Sequence, residues 1–108
     1  MEKYYQAIVD FHKKFKMKGT NNEEMTFRLN LLTEELGELA KAVTKGKPKK
    51  EVIEENIDLL YLVLGNFISL GIKPRQIEKA FFDKHNRNMT HRKKRLKNGK
   101  YRVSAFKS

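Results

Sequence analysis

Two acidic clusters stand at mirrored distances from one turn. Glu34-Glu35-x-x-Glu38 and Glu55-x-x-Asp58 flank a Gly46-Lys47-Pro48 break, and the pairs Glu35/Asp58 and Glu38/Glu55 share one midpoint, between Gly46 and Lys47. Each cluster lies roughly seven residues from the break, about 10 Å along a helix at 1.5 Å rise per residue. Side chains three or four apart share a helical face, so each arm aims its own pair of acids in one direction. A hairpin folded at the break therefore brings four carboxylates to one level. Their mutual repulsion calls for a cation between them.

Magnesium suits such a place, because it is a hard ion that prefers oxygen ligands and is commonly shared between a few carboxylates and substrate phosphates. The chain has no cysteine, and His12, His85 and His91 show no zinc-type spacing, which argues against a structural zinc site. Glu51 and Glu54 have no counterpart on the first arm. They fall in the first turn of the second arm, where acids favour the helix dipole.

Helical periodicity extends through most of the chain. Tyr5, Ile8, Phe11 (or Val9) and Phe15 predict a first helix from Tyr4 to about Met17. Gly19 to Asn22 read as a turn, and Asn21 or Asn22 is placed to cap a second helix that runs to about Lys45. Leu29, Leu32, Leu36, Leu39 and Val43 form its expected core stripe, with the acids on a separate face. Phe27 and Leu31 share the acid face, where Phe27 fits either a pocket wall that stacks on a nucleobase or a contact with a neighbouring helix or subunit.

Gly46 and Pro48 end the second helix and open a third, from about Lys49 to Leu70. Past Asp58 its apolar residues go nearly all the way round, which demands cover on every side and predicts a homodimer or homotetramer. Gly71 and Pro74 separate it from a fourth helix that ends near Arg92, with Ile77, Ala80, Phe81 and Met89 facing inward. Leu96 to Val103 reads as a short hairpin turning at Asn98-Gly99. The expected fold is all-α, a four-helix-bundle type with a short C-terminal β-hairpin or extended tail.

The 108 residues fit one domain, 1–108, with a helical core of about 4–92 and a basic segment at 93–108. The net charge of +11 is concentrated at one end: residues 1–83 hold 14 Lys or Arg against 13 Asp or Glu, while residues 84–108 hold ten and no acid. Such a tail attracts a triphosphate, RNA or an acidic groove alike. The longest apolar stretch, Ile57 to Ile72, is interrupted by Asn66 and is short for a membrane span. A soluble, cytoplasmic protein with no membrane partner is expected.

With Glu34-Glu35-Leu36-Gly37-Glu38-Leu39-Ala40 and Glu55-Asn56-Ile57-Asp58-Leu59-Leu60 in view, the chain resembles the MazG-like all-alpha nucleoside triphosphate pyrophosphohydrolases. Their pattern is E-E-x-x-E, a spacer, then E-x-x-D, and the sixteen residues between Glu38 and Glu55 fit that spacer. Phe82 to Met89 and Asn98-Gly99-Lys100 resemble the His-x-x-Asn-Met segment and Gly-Lys turn of small members related to phosphoribosyl-ATP pyrophosphohydrolase. The resemblance covers roughly residues 27–103.

The resemblance implies a homo-oligomeric enzyme that splits a nucleoside triphosphate between its α and β phosphates, releasing a monophosphate and pyrophosphate. Glu35, Glu38, Glu55 and Asp58 would hold Mg2+, with Mn2+ as a substitute. Glu34 would hold a second ion or orient the attacking water, and Glu34 and Glu38 are the expected catalytic carboxylates. Lys84, Asn88 and Arg92 step by four along the fourth helix and form a candidate phosphate-binding face; an ordinary solvated stripe has the same spacing. Thr90 and His91 stand where such enzymes carry Lys or Arg, so Arg92 is the substitute contact. Two alternatives remain: activity on phosphoribosyl-ATP, and a nucleic-acid or protein-binding module that works through the basic tail.

Overall fold

The computed structural model describes residues 1–16, 22–90, 93–95 and 101–103. Four helices account for nearly all of it: α1 (Glu2–Lys14), α2 (Asn22–Thr44), α3 (Lys49–Ser69) and α4 (Pro74–Thr90). The chain divides into two compact units, Met1–Pro74 and Arg75–Ser108. In the first, α2 and α3 pack along each other and α1 lies against α3. In the second, α4 is followed by strands β1 (Lys93–Arg95) and β2 (Tyr101–Val103), which pair antiparallel with Lys94 opposite Arg102. Of the expected turn at Gly19 to Asn22, residues 19–21 lie outside the described residues and Asn22 begins α2; the expected turn at Asn98-Gly99 also lies outside them.

The α2–α3 turn is fixed by its residue types. Gly46 adopts φ 63°, a left-handed conformation that side chains disfavour. Its N–H donates to the Val43 carbonyl at 3.1 Å, and the Lys47 N–H donates to Ala42 at 2.9 Å. This paired pattern is a Schellman cap, which satisfies the orphan carbonyls of α2. Pro48 then supplies its carbonyl to the N–H groups of Glu51 and Val52, starting α3. The same cap recurs at Gly71, where Ile72 N–H reaches Phe67 at 2.8 Å. Tyr5 Oη donates to the Ile72 carbonyl at 2.8 Å, tying α1 to the end of α3. Edge-on packing of Phe11 against Tyr61, 5.3 Å between centroids, continues that contact.

Two expectations about burial are corrected. On α2, Leu29, Leu36 and Val43 are exposed; the face turned inward carries buried Arg28 and Ala42 with half-buried Leu31, Leu32, Glu35 and Leu39. The apolar arc of α2 is broader than one neighbour covers, and α3 meets it on the edge nearer the acids. Glu35 thus belongs to the packed face rather than to a separate one. On α4, Ile77 is buried, while Ala80, Phe81 and Met89 are exposed. On α3, Ile53, Ile57 and Leu60 are likewise exposed.

Candidate metal centre

The hairpin gathers three of the predicted acids. Glu35 from α2 and Glu55 and Asp58 from α3 each offer a carboxylate oxygen, and these oxygens lie within 4.8 Å of one another. Glu35 and Glu55 are half-buried and Asp58 is exposed. The local cause is the register of the two helices: Glu35 sits about three turns before the cap at Gly46, and Asp58 about three turns beyond Pro48.

Electrostatics register the crowding. The Glu35 carboxyl is raised above its ordinary value, first by desolvation, then by the charges of Asp58, Glu38 and Glu34. Glu55 is raised as well, by desolvation and then by Asp58, Glu35, Glu38 and Glu51. Both groups therefore resist ionisation in the folded chain, and a cation that relieved the repulsion would be bound in proportion. Glu38 is exposed and stands outside the close set, yet near enough for its charge to act on both arms. Glu34, also exposed, acts on Glu35 alone of the two. Glu51 occupies the first turn of α3, as its position near the helix start requires.

The donor set fits a hard divalent ion. All three atoms are carboxylate oxygens, and their 4.8 Å spread is close to the roughly 4.2 Å between opposite ligands of a magnesium ion. An ion of that type would be held by Glu35, Glu55 and Asp58.

Lys84 is exposed and Asn88 half-buried on α4, and Arg92 lies outside the described residues. Phe27 is exposed on α2. Tyr5 and His12 are buried in the first unit. One group the sequence reading missed is Arg28, buried between α2 and α3 and hydrogen-bonded to Asn66 and to the Leu62 carbonyl. Its signal was available: Arg28 and Asn66 are centred on Lys47, beside the midpoint of the acidic pairs.

A helical hairpin with carboxylates from both arms converging on one point is suited to holding a divalent ion. A family model described as phosphoribosyl-ATP pyrophosphohydrolase matches residues 2–85, and the chain belongs to that family, within the MazG-like all-alpha superfamily. The family is described by a pyrophosphohydrolase activity and is typically dependent on a divalent metal. The chain is also similar to Uncharacterized protein L479 of Acanthamoeba polyphaga mimivirus, 32% identical over 100 residues that cover 78% of this chain and 39% of the viral protein. It therefore spans well under half the length of that relative. No solved structure matches the chain. Among the described residues, no single helix is long and apolar enough to cross a membrane.

Proposed function

We propose that the chain is a magnesium-dependent nucleoside triphosphate pyrophosphohydrolase that cleaves between the α and β phosphates. The observation that carries this reading is the convergence of Glu35, Glu55 and Asp58 from two helices, in a chain of this family. Glu35, Glu38, Glu55 and Asp58 hold the cation, with Mn2+ able to replace Mg2+. When bound, the ion neutralises charge developing on the phosphoryl oxygens. Glu38 and Glu34, on the same helix as Glu35, orient water and accept its proton. Lys84, Asn88 and Arg92 are the proposed phosphate contacts, Lys and Arg by charge and Asn by a directed hydrogen bond.

The test is pyrophosphate release from a panel of nucleoside triphosphates with Mg2+, repeated with Glu38→Gln and Asp58→Asn. Release by the wild type and loss in both variants supports the proposal; no release from any nucleotide removes it. The description of the matching family favours a second reading, phosphoribosyl-ATP as substrate. Activity on that compound alone would select it. Steeply salt-dependent RNA or DNA binding, indifferent to both carboxylate variants and lost on truncation after Phe82, would point instead to the basic tail as the working part.

The exposed apolar residues support a homo-oligomer. Leu29, Leu36 and Val43 recur every seven residues along the outer flank of α2, and Ile53, Ile57 and Leu60 line an exposed side of α3. A second copy of the chain covers these faces in the proposed assembly. Light scattering on the purified chain distinguishes dimer, tetramer and monomer, and charged substitutions at Leu36 and Ile57 should shift the mass downward.

A further inference from the structure

Arg28 reaches across the same helix pair that carries the acids. Its side chain is buried, at 3% exposure, and donates from Nε to Asn66 Oδ1 at 2.8 Å and from Nη2 to the Leu62 carbonyl at 3.1 Å. The guanidinium lies over Gly65: a Cβ there would overlap Nη2 and stand 2.9 Å from Cζ and 3.3 Å from His12 Nε2. Glycine inside a helix costs about 1 kcal/mol relative to alanine. Here it opens a notch, and α3 contains no second glycine to offer another.

The position of this notch matters more than its presence. Arg28 precedes Glu35 by seven residues and Asn66 follows Asp58 by eight, so the two clusters are about 10–12 Å apart on both helices. One antiparallel register satisfies both. Leu32, Leu39, Leu59 and Leu62 also line the inward faces of these helices, but apolar contacts are non-directional and tolerate sliding. A slide of one turn, about 5.4 Å, would lift the fork from its notch and carry Glu35 beyond the 4.8 Å spread of the acid cluster. Mutual repulsion among the acids favours such a displacement whenever no cation is bound. Fixing register is the best-attested use of a buried polar group.

We propose that Arg28, seated in the Gly65 notch and held by Asn66, is the register key of the α2–α3 hairpin, a positioning group that sets the carboxylate spacing for a divalent cation. The proposal rests on the reading of Glu35, Glu55 and Asp58 as a metal centre. Arg28 touches neither metal nor substrate; it acts through the alignment of the two helices.

The experiment is Mn2+ binding alone, measured calorimetrically on the full chain as wild type, Gly65→Ala, Arg28→Lys and Arg28→Met, with helicity recorded for each. Gly65→Ala displaces the fork and should weaken Mn2+ about tenfold at unchanged helicity. Arg28→Lys keeps the charge and loses the fork, so it should weaken Mn2+ as well. Arg28→Met separates the two causes, because removal of a cation near the acids by charge alone would tighten Mn2+. Weaker binding in Arg28→Met supports the key; equal or tighter binding in the folded variants overturns it. Where one of these variants loses its helicity, Asn66→Ser reads the same register loss with a milder change. A wild type that binds no Mn2+ overturns the metal reading itself, and the key with it.

Discussion

The α2–α3 hairpin carries two polar clusters about two helical turns apart, and they differ in how their polar atoms are satisfied. At Arg28, the buried donors meet protein acceptors: Asn66 Oδ1, the Leu62 carbonyl, and a glycine notch that lets them approach. At Glu35, Glu55 and Asp58, carboxylates crowd together at the half-exposed edge, and the neighbours of Glu35 and Glu55 raise rather than lower the proton affinity of those two. A polar group whose partners are supplied by the chain serves the fold. A group whose charge its own neighbours oppose points to something bound from outside.

The largest expected effects come from breaking each cluster and should have opposite signs in stability. Asp58→Asn should lower pyrophosphate release by about a hundredfold or more, while leaving the thermal midpoint of the metal-free protein unchanged or higher, because it removes one of the repelling charges. Arg28→Met should cost about 3 kcal/mol of stability, since it strands the buried acceptors that the guanidinium satisfies. Paired denaturant titrations and activity assays check both. If Asp58→Asn destabilises as strongly as Arg28→Met, the two clusters are not of different kinds.

Next in size is the response to metal and pH. Saturating Mg2+, at about 100 times its Kd, should stabilise the fold by about 2.7 kcal/mol. Glu35 and Glu55 have folded values raised above the ordinary 4.5, so the folded state binds protons more tightly than the unfolded chain. Their contribution without metal is therefore a penalty, fully present above the raised values, that shrinks as pH falls through them and disappears below about 4.5. The metal increment has the opposite trend, because protons compete for the same oxygens. Thermal melts from pH 4.5 to 8, with and without Mg2+, should converge at the acid end and separate toward neutral pH. Parallel curves would show that these carboxylates do not titrate against the ion.

Much of this comparison was readable in the residues, and the unreadable parts have definite causes. Gly46-Lys47-Pro48 and Gly71 with Pro74 punctuate the chain, so α3 was expected at Lys49–Leu70 and runs Lys49–Ser69. Mirrored spacing made the convergence of Glu35, Glu55 and Asp58 legible. The buried face of α2 was not, because Leu29-Leu36-Val43 and Leu32-Leu39 are equally regular, and periodicity does not distinguish a neighbouring helix from a neighbouring subunit. Arg28 escaped notice because a lone charge is ordinarily placed at the surface. The clues lay on the other helix, where Gly65-Asn66 interrupts an otherwise apolar run.

The smallest effect discriminates best between two ways of holding the register. Gly46 has φ 63° with nothing within 4 Å of the position a Cβ would take, so Gly46→Ala imposes conformational strain and no clash. Its expected cost is about 1 kcal/mol, read as a shift in the denaturant midpoint at unchanged slope. The turn and the Arg28 notch bracket the acids from opposite ends of the seam. If the notch sets the alignment, Gly46→Ala should leave Mn2+ affinity within about twofold of wild type, because the strain is absorbed in a four-residue turn while the fork still holds α3 in place. If the turn sets it, the milder substitution should weaken Mn2+ more than Gly65→Ala does, even though it touches no side chain of either cluster.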